Sequence, residues 1–436
     1  MKSTHCLCFT VLAFGVGACV QPVPIEDMPC PCADGYTCCD NQCLPAGQVC
    51  QLDAGGTSDV AIEETSPVRT DAGQSKWQPI ASVSVNNWTA ASGPFLMGDR
   101  VAFWDAYNNG RAATYRFAQN DWLEQEGHWP TDNIIEAGLV WTGSQFVYWG
   151  GVMEASTCNS LGGLYSPATD TWSAINTTGA PLLAVVGGGY TGKEVVLRGD
   201  SCLPKLGMAD RGPVIGALYN PATDTWRNMS IVNAPTAENG TNVVLGERMV
   251  CWSGAPYDGA PGYTPTSGWT NSGAVYNAAD DTWTAMSTAN APGPRAGMLA
   301  LAMRGKMFVW GGTDGTTNSL GEQSYFRDGG IFDPETNTWT AISKDGSPTV
   351  TADNGLWAEE QGLVYVQGSI STPGVGSPGV ALWTYDPSAD RWASVDVTGL
   401  PEMLSTYFVW TGLDLLAIGM LAAEPTTIMG GFRYTP

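Results

Sequence analysis

The chain has 436 residues, 43% of them hydrophobic and 14% charged, and its 19 Lys and Arg against 42 Asp and Glu leave a formal net charge of −23. That balance repels polyphosphate and excludes a nucleic-acid partner. The acidic residues are scattered, so they read as solvated surface and imply no acidic metal site.

At the amino terminus Lys2 and His5 precede an apolar run over 6–16. The run is too short to span a bilayer but suits a signal-peptide core. It ends in Val16-Gly17-Ala18-Cys19, which resembles a bacterial lipobox. The resemblance implies a signal peptide over 1–18, lipidation of Cys19 and a tether over 19–29; the alternative is secretion after cleavage at Ala18. Either way the expected address is outside the cytosol, in the cell envelope or beyond it, with the membrane touched only through the lipid. Cys30, Cys32, Cys38, Cys39, Cys43 and Cys50 follow within a short stretch. In an exported chain such density predicts a disulfide-stapled module over 30–50, because so short a segment cannot bury a sufficient core. Its pairing is open. Zinc is the lesser reading, given the oxidising address and the lack of a neighbouring histidine. Residues 51–76, rich in Gly, Ser, Thr, Asp and Ala, read as a flexible linker.

From there the chain repeats. Tyr115/Trp122, Tyr165/Trp172, Tyr219/Trp226, Tyr276/Trp283, Phe332/Trp339 and Tyr385/Trp392 are six copies of an aromatic seven residues ahead of a tryptophan. A seventh copy begins at Tyr434 and lacks its tryptophan, while Trp77 stands alone at the other end, placed ahead of Trp104 as Trp122 is ahead of Trp149. The tryptophans recur at the spacing of a four-stranded propeller blade, and the split copy predicts a ring closed by pairing the strand at 77–80 with the sheet of residues 402–434. Within one copy, residues 298–312 read as two short strands around Arg304-Gly305-Lys306, ending in Gly311-Gly312. A variable loop, a third strand through Phe332, a turn at Asp333-Pro334-Glu335-Thr336-Asn337 and a fourth strand through Trp339 follow.

At these residues the chain resembles the Kelch-repeat β-propeller family over 77–436, most closely from Ala291-Pro-Gly-Pro-Arg295 through Trp310-Gly311-Gly312 to Phe332 and Trp339. The resemblance implies an all-β, seven-bladed propeller in which the aromatic and the tryptophan pack between neighbouring sheets and the diglycine lets strands crowd near the centre. Blade 1 departs with Trp104-Asp105-Ala106, blade 3 with Arg198-Gly199-Asp200 and blade 6 with Gln367-Gly368. Of the remaining cysteines, Cys158 and Cys202 lie in the loops after the second strands of adjacent blades and are expected to form a disulfide, whereas Cys251 lies in an apolar strand and reads as a buried free thiol.

No catalytic constellation is evident. His5 and His128 are the two histidines of the chain, so neither the two-histidine copper site of galactose oxidase nor a Ser-His-Asp set can be assembled, and no cofactor or metal is implied. A histidine-free carbohydrate enzyme resembling the sialic acid mutarotases, using acidic residues with Arg198, Arg295 or Arg327, is the alternative function. The favoured reading places the binding of an extracellular protein or glycan, by a monomer, on the long loops after the second strands. The loop over 254–272 carries Tyr257, Tyr263 and Trp269 among small polar residues, and its neighbour over 312–328 carries Tyr325, Phe326 and Arg327, beside Arg295. Aromatics set in Gly, Ser and Asn suit adaptable contact loops, although they also suit rings that pin their own loop.

If Cys19 carries the lipid, Cys19→Ser moves the mature chain from the membrane fraction to the soluble one or leaves an unprocessed precursor. Unchanged fractionation and processing would reject the lipobox.

Overall fold

The computed structural model describes residues 76–434 apart from segments 86–90, 106–110, 126–133, 136, 151, 154–156, 159–160, 203–210, 239, 257–267, 317–323, 349–351, 371–378, 402 and 424–425, and also the strands of a hairpin, Tyr36–Cys39 and Gln42–Pro45. Residues 1–72 and 73–436 form separate compact units. In the first, Cys38 pairs with Cys43 in backbone register. Cys19, Cys30, Cys32 and Cys50 lie outside the described residues, as do the side chains of Cys38, Cys39 and Cys43. No helix among the described residues is long and apolar enough to cross a membrane.

The second unit is a seven-bladed propeller of antiparallel sheets. Blade 1 comprises Ala91–Leu96, Arg100–Asp105, Ala112–Arg116 and Asp121–Gln125, and blades 2 to 6 repeat that order up to Arg391–Val395. First strands of successive blades contact one another, which places them on the inside of the ring. Blade 7 takes Met403–Trp410, Leu415–Ala423 and Thr426–Tyr434 from one end of the ring and Trp77–Pro79 from the other, with Trp77 opposite Tyr434. The expected closure is therefore the one observed.

Every copy of the repeat is a cross-strand pair. Tyr115 faces Trp122, and Tyr165/Trp172, Tyr219/Trp226, Tyr276/Trp283, Phe332/Trp339 and Tyr385/Trp392 follow in the same register. A spacing of seven places both residues on one face of a hairpin, so their rings meet at centroid distances such as 5.4 Å in blade 1 and 4.9 Å in blade 6. The hydrophobic core is correspondingly divided. Each of the seven clusters of buried side chains straddles a junction between two blades, for example Val243, Trp252, Met307 and Phe332 between blades 4 and 5.

Polar atoms fasten the same junctions. The residue two before the tryptophan is Asn or Asp in the left-handed region, with φ of 50° at Asn120, 51° at Asp224, 54° at Asp281 and 53° at Asn337. Asn and Asp tolerate that backbone better than other side chains. The Asp281 carboxylate accepts the Tyr276 hydroxyl (2.6 Å) and the backbone N–H of Ser230 in the preceding blade (2.8 Å), while the Trp283 indole donates to the Ser230 carbonyl (2.7 Å). The same clasp joins Asp224 and Trp226 to Asn176, Asn337 and Trp339 to Ser287, Asp390 and Trp392 to Ser343, and Asn120 and Trp122 to Ala81. At the closing junction Trp77 donates to the Asp396 carbonyl. Burial is the main cause that raises the phenols of Tyr219, Tyr276 and Tyr385 above their ordinary range, and the bonded carboxylates raise them further.

The strand-ending residues explain where blades differ. After Trp310 both Gly311 and Gly312 have positive φ (70° and 87°), and a Cβ on Gly312 would sit 2.7 Å from the Ala296 carbonyl. The diglycine therefore turns the chain out of the sheet against the link entering the blade. Blade 4 makes the same turn with Ser253 (φ 64°) and Gly254. Where the pair is replaced, the hairpin runs on: blade 3 continues through Arg198-Gly199-Asp200 to Cys202 and blade 6 through Gln367-Gly368 to Ile370.

Two departures in this clasp test its weight. Trp283→Phe keeps the ring and deletes the N–H to Ser230, and Asp281→Ala deletes both acceptor bonds; each is expected to cost about 1–3 kcal/mol of global stability in urea unfolding. Midpoints equal to the parent's for both variants would show that the clasp is incidental.

Candidate functional site

The loops after the second strands and the links that enter each blade from the previous one emerge at the same end of the sheets. Short strands stitch them together: Ile134–Ile135 with Val152–Met153 and Thr157–Cys158 at blade 2, and Ala237–Glu238 with Ala255–Pro256 at blade 4. The backbone of Cys158 pairs with Val152 and that of Cys202 with Arg211, while both cysteine side chains, and with them the expected bridge, lie outside the described residues. Cys251 is a buried free thiol that donates to Asn242 Oδ1 at 3.0 Å, and burial pushes its pKa up to about 11.

Arg295 sets the geometry between blades 4 and 5. Its guanidinium donates through Nε to the Gly293 carbonyl (2.9 Å) and through one terminal nitrogen to the carbonyls of Gly311 (2.8 Å) and Asp328 (3.1 Å). The other terminal nitrogen is 2.7 Å from the Asp328 carboxylate, and the Phe326 ring lies 4.3 Å below the cation. On the other side its backbone N–H and carbonyl are both bonded to the Ser253 hydroxyl, at 3.1 and 2.7 Å. One residue thus welds the two loop bases, its backbone holding that of the loop over 254–272 and its side chain that of the loop over 312–328. Burial lowers its pKa, and Asp328 opposes the shift. Because Arg295 is 0% exposed, the expectation that it faces a ligand is corrected: it is a buried brace.

Arg198 receives the same correction. It occupies the position taken by Trp149 in blade 2 and Trp310 in blade 5, whose rings lie 4.6 and 4.4 Å from the next blade's Trp226 and Trp392. The Arg198 guanidinium lies 5.9 Å from the Trp283 ring and donates to the Pro235 carbonyl, as the Trp149 indole donates to the Pro181 carbonyl. A fork of N–H groups replaces the indole in both its stacking and its bond.

What reaches the surface of the brace is aromatic and basic. Tyr325 is 48% exposed, Arg327 is exposed with Nε donating to the Pro348 carbonyl (3.1 Å), and Trp269 is half-buried. The Trp269 indole N–H is buried with no acceptor among the described residues. Tyr257, Tyr263 and His128 lie outside the described residues. The sheets' other end carries a feature that sequence reasoning missed, a cavity of about 610 Å³ at the central channel, walled by the first strands of blades 1, 6 and 7. Its lining comes from segments so far apart in the chain that no local motif announces it.

Substituting Arg295→Met removes the donors to the Gly293 and Gly311 carbonyls and leaves the Asp328 carboxylate with Lys344 at 3.6 Å, and is expected to cost about 1–3 kcal/mol in chemical unfolding. Arg295→Lys should recover little of it, since an ammonium lacks the fork. Parent-like stability of the methionine variant would refute the bracing role.

Comparison with known proteins agrees with this architecture. The model of the KLHDC2/KLHL20/DRC7 Kelch-repeats domain matches residues 207–411. A putative F-box/kelch-repeat protein of Arabidopsis thaliana is 29% identical over 98 residues, which span 22% of this chain and 22% of that protein. Among solved structures, a fungal alcohol oxidase of the AA5 family in complex with copper superposes on 83% of this chain and 77% of its own, with a TM-score of 0.56 and 11% identity, a likeness of fold. A copper centre does not fit the donors here: the chain has two histidines, and among the described residues no group of three or more His, Cys, Asp or Glu is placed to hold a metal ion. The repeat register and the ring closure make the second unit a seven-bladed β-propeller, whose residues 207–411 match the Kelch-repeats model.

Proposed function

We propose that this protein is an exported, envelope-anchored binding module whose propeller docks an extracellular protein or glycan on the face formed by the loops after the second strands. The observation that carries this reading is the Arg295 weld. Loops that contact partners gain affinity when they are ordered before binding, and Arg295 ties the base of the loop that carries Trp269 to that of the loop that carries Tyr325 and Arg327. Tyr257 and Tyr263 belong to the first of these loops. The Kelch-repeat assignment supports a protein-binding role, and the lipobox and cysteine pattern support the address outside the cytoplasm.

The test is a glycan-array screen with the full chain, combined with cross-linking of partners in the envelope, followed by affinity measurement on variants. For the ligand so identified, alanine at a true anchor among Tyr257, Tyr263, Trp269 and Tyr325 is expected to cost on the order of 2 kcal/mol, with the fold retained. His128→Ala should bind as the parent does. Full affinity in the Tyr257, Tyr263 and Trp269 triple alanine variant would move the contact surface elsewhere.

A further inference from the structure

The channel cavity opens at the end of the sheets that carries the turns between first and second strands, away from the loop surface proposed above. Its walls include Trp357 and Glu359 of blade 6, Glu360 beside them, and Phe408 and Trp410 of blade 7. The tryptophans and glutamates form two matching pairs. The Trp357 indole donates to the Glu359 carboxylate, and the Trp410 indole donates to the Glu360 carboxylate at 2.6 Å. These bonds orient each carboxylate beside a ring and leave lone pairs for other donors.

One of the pairs already holds a cation. The guanidinium of Arg304, from the turn of blade 5, lies 5.1 Å from the Trp357 ring and 3.5 Å from the Glu359 carboxylate. The second pair has the same two components in a more enclosed setting, with Trp410 8% exposed and stacked 6.4 Å from Tyr365, and Glu360 extends over the turn of blade 7, where a Cβ on Gly412 would come within 3.7 Å of its Oε1. Among the described residues Glu360 makes no ion pair, and it is exposed. An ionised carboxylate only accepts hydrogen bonds, so the complementary ligand must donate. A ring beside the carboxylate favours a cation over a neutral donor, as Arg304 demonstrates within the molecule. The net charge of −23 raises the local concentration of cations at such a cleft. A volume of about 610 Å³ suits a small molecule or one long side chain rather than a folded surface.

We infer that the channel mouth is a binding site for a guanidinium-bearing ligand of side-chain size, held by Trp410 and Glu360 beside the pair that Arg304 fills. The site is independent of the loop surface and stands whether or not that reading holds.

The test titrates the full chain with Nα-acetyl-argininamide and with its neutral isostere Nα-acetyl-citrullinamide, following indole N–H resonances assigned through Trp357→Phe and Trp410→Phe. The expected result is a saturable shift of the Trp410 indole with the cationic probe alone, weakened about tenfold or more in Glu360→Gln. It should be unchanged in Asp345→Asn, which removes one exposed carboxylate elsewhere. The inference is overturned by equal binding of the two probes, by equal weakening in Glu360→Gln and Asp345→Asn, by shifts confined to other indoles, or by no saturable shift. Preferential binding of glucose at the same resonance would reassign the cavity to a neutral polyol and also overturn it.

Discussion

Everything in this propeller depends on the bond between a tryptophan indole and a carbonyl of the preceding blade. A single four-stranded sheet has two apolar faces and cannot cover either by itself, so each blade is stable only when sandwiched. Ring stacking supplies the area, but rings slide; the indole-to-carbonyl bond and the Asp or Asn that takes the adjoining N–H fix where one sheet sits on the next. The backbone groups tied in this way belong to the link leaving a blade, where they would otherwise be exposed donors and acceptors without a sheet partner. The clasp thus converts the weakest stretch of each repeat into its attachment point.

The loops that vary from blade to blade lie where this module leaves freedom. The clasp ties the turn between third and fourth strands to the link leaving the preceding blade, whereas the loops after the second strands lie outside it and differ from blade to blade. There a pair of left-handed residues decides between a folded loop and an extended hairpin. Ser253 shows the cost of departing from glycine, since its positive φ is accompanied by hydroxyl bonds to the Thr270 and Arg295 carbonyls.

Periodic features were legible in the sequence and singular ones were not. The seven-residue spacing of aromatic and tryptophan, and the stray Trp77, disclosed the blade and its closure because each is a local or repeated signal. The clasp residue also recurs, as Asn120, Asp170, Asp224, Asp281, Asn337 and Asp390, two before each tryptophan. Its turn role could be read, but not its bond to the previous blade, whose partner lies about fifty residues upstream (51 for Asp281 and Ser230). Arg295 illustrates the opposite error. A lone arginine among repeats suggests a ligand contact, whereas here it compensates a unique loop by burial against Asp328. Arg198 looked like a defect in the repeat and proves to be a chemical substitute for tryptophan. The channel cavity combines blades 1, 6 and 7, and only the closed ring brings them together.

Closure by Trp77 has a kinetic consequence. Its indole bond reaches Asp396, 319 residues along the chain, and its strand pairs with the last one. The entropic cost of bringing such distant segments together rises only slowly with loop length, so ring closure is thermodynamically tolerable, but contacts of this separation are late and slow to form. Once made, they leave no blade with a free face from which unfolding can spread. Opening the ring there must break the strand pairing of Trp77–Pro79 together with the core shared by blades 7 and 1, a coupled loss that raises the barrier to unfolding rather than the equilibrium stability alone.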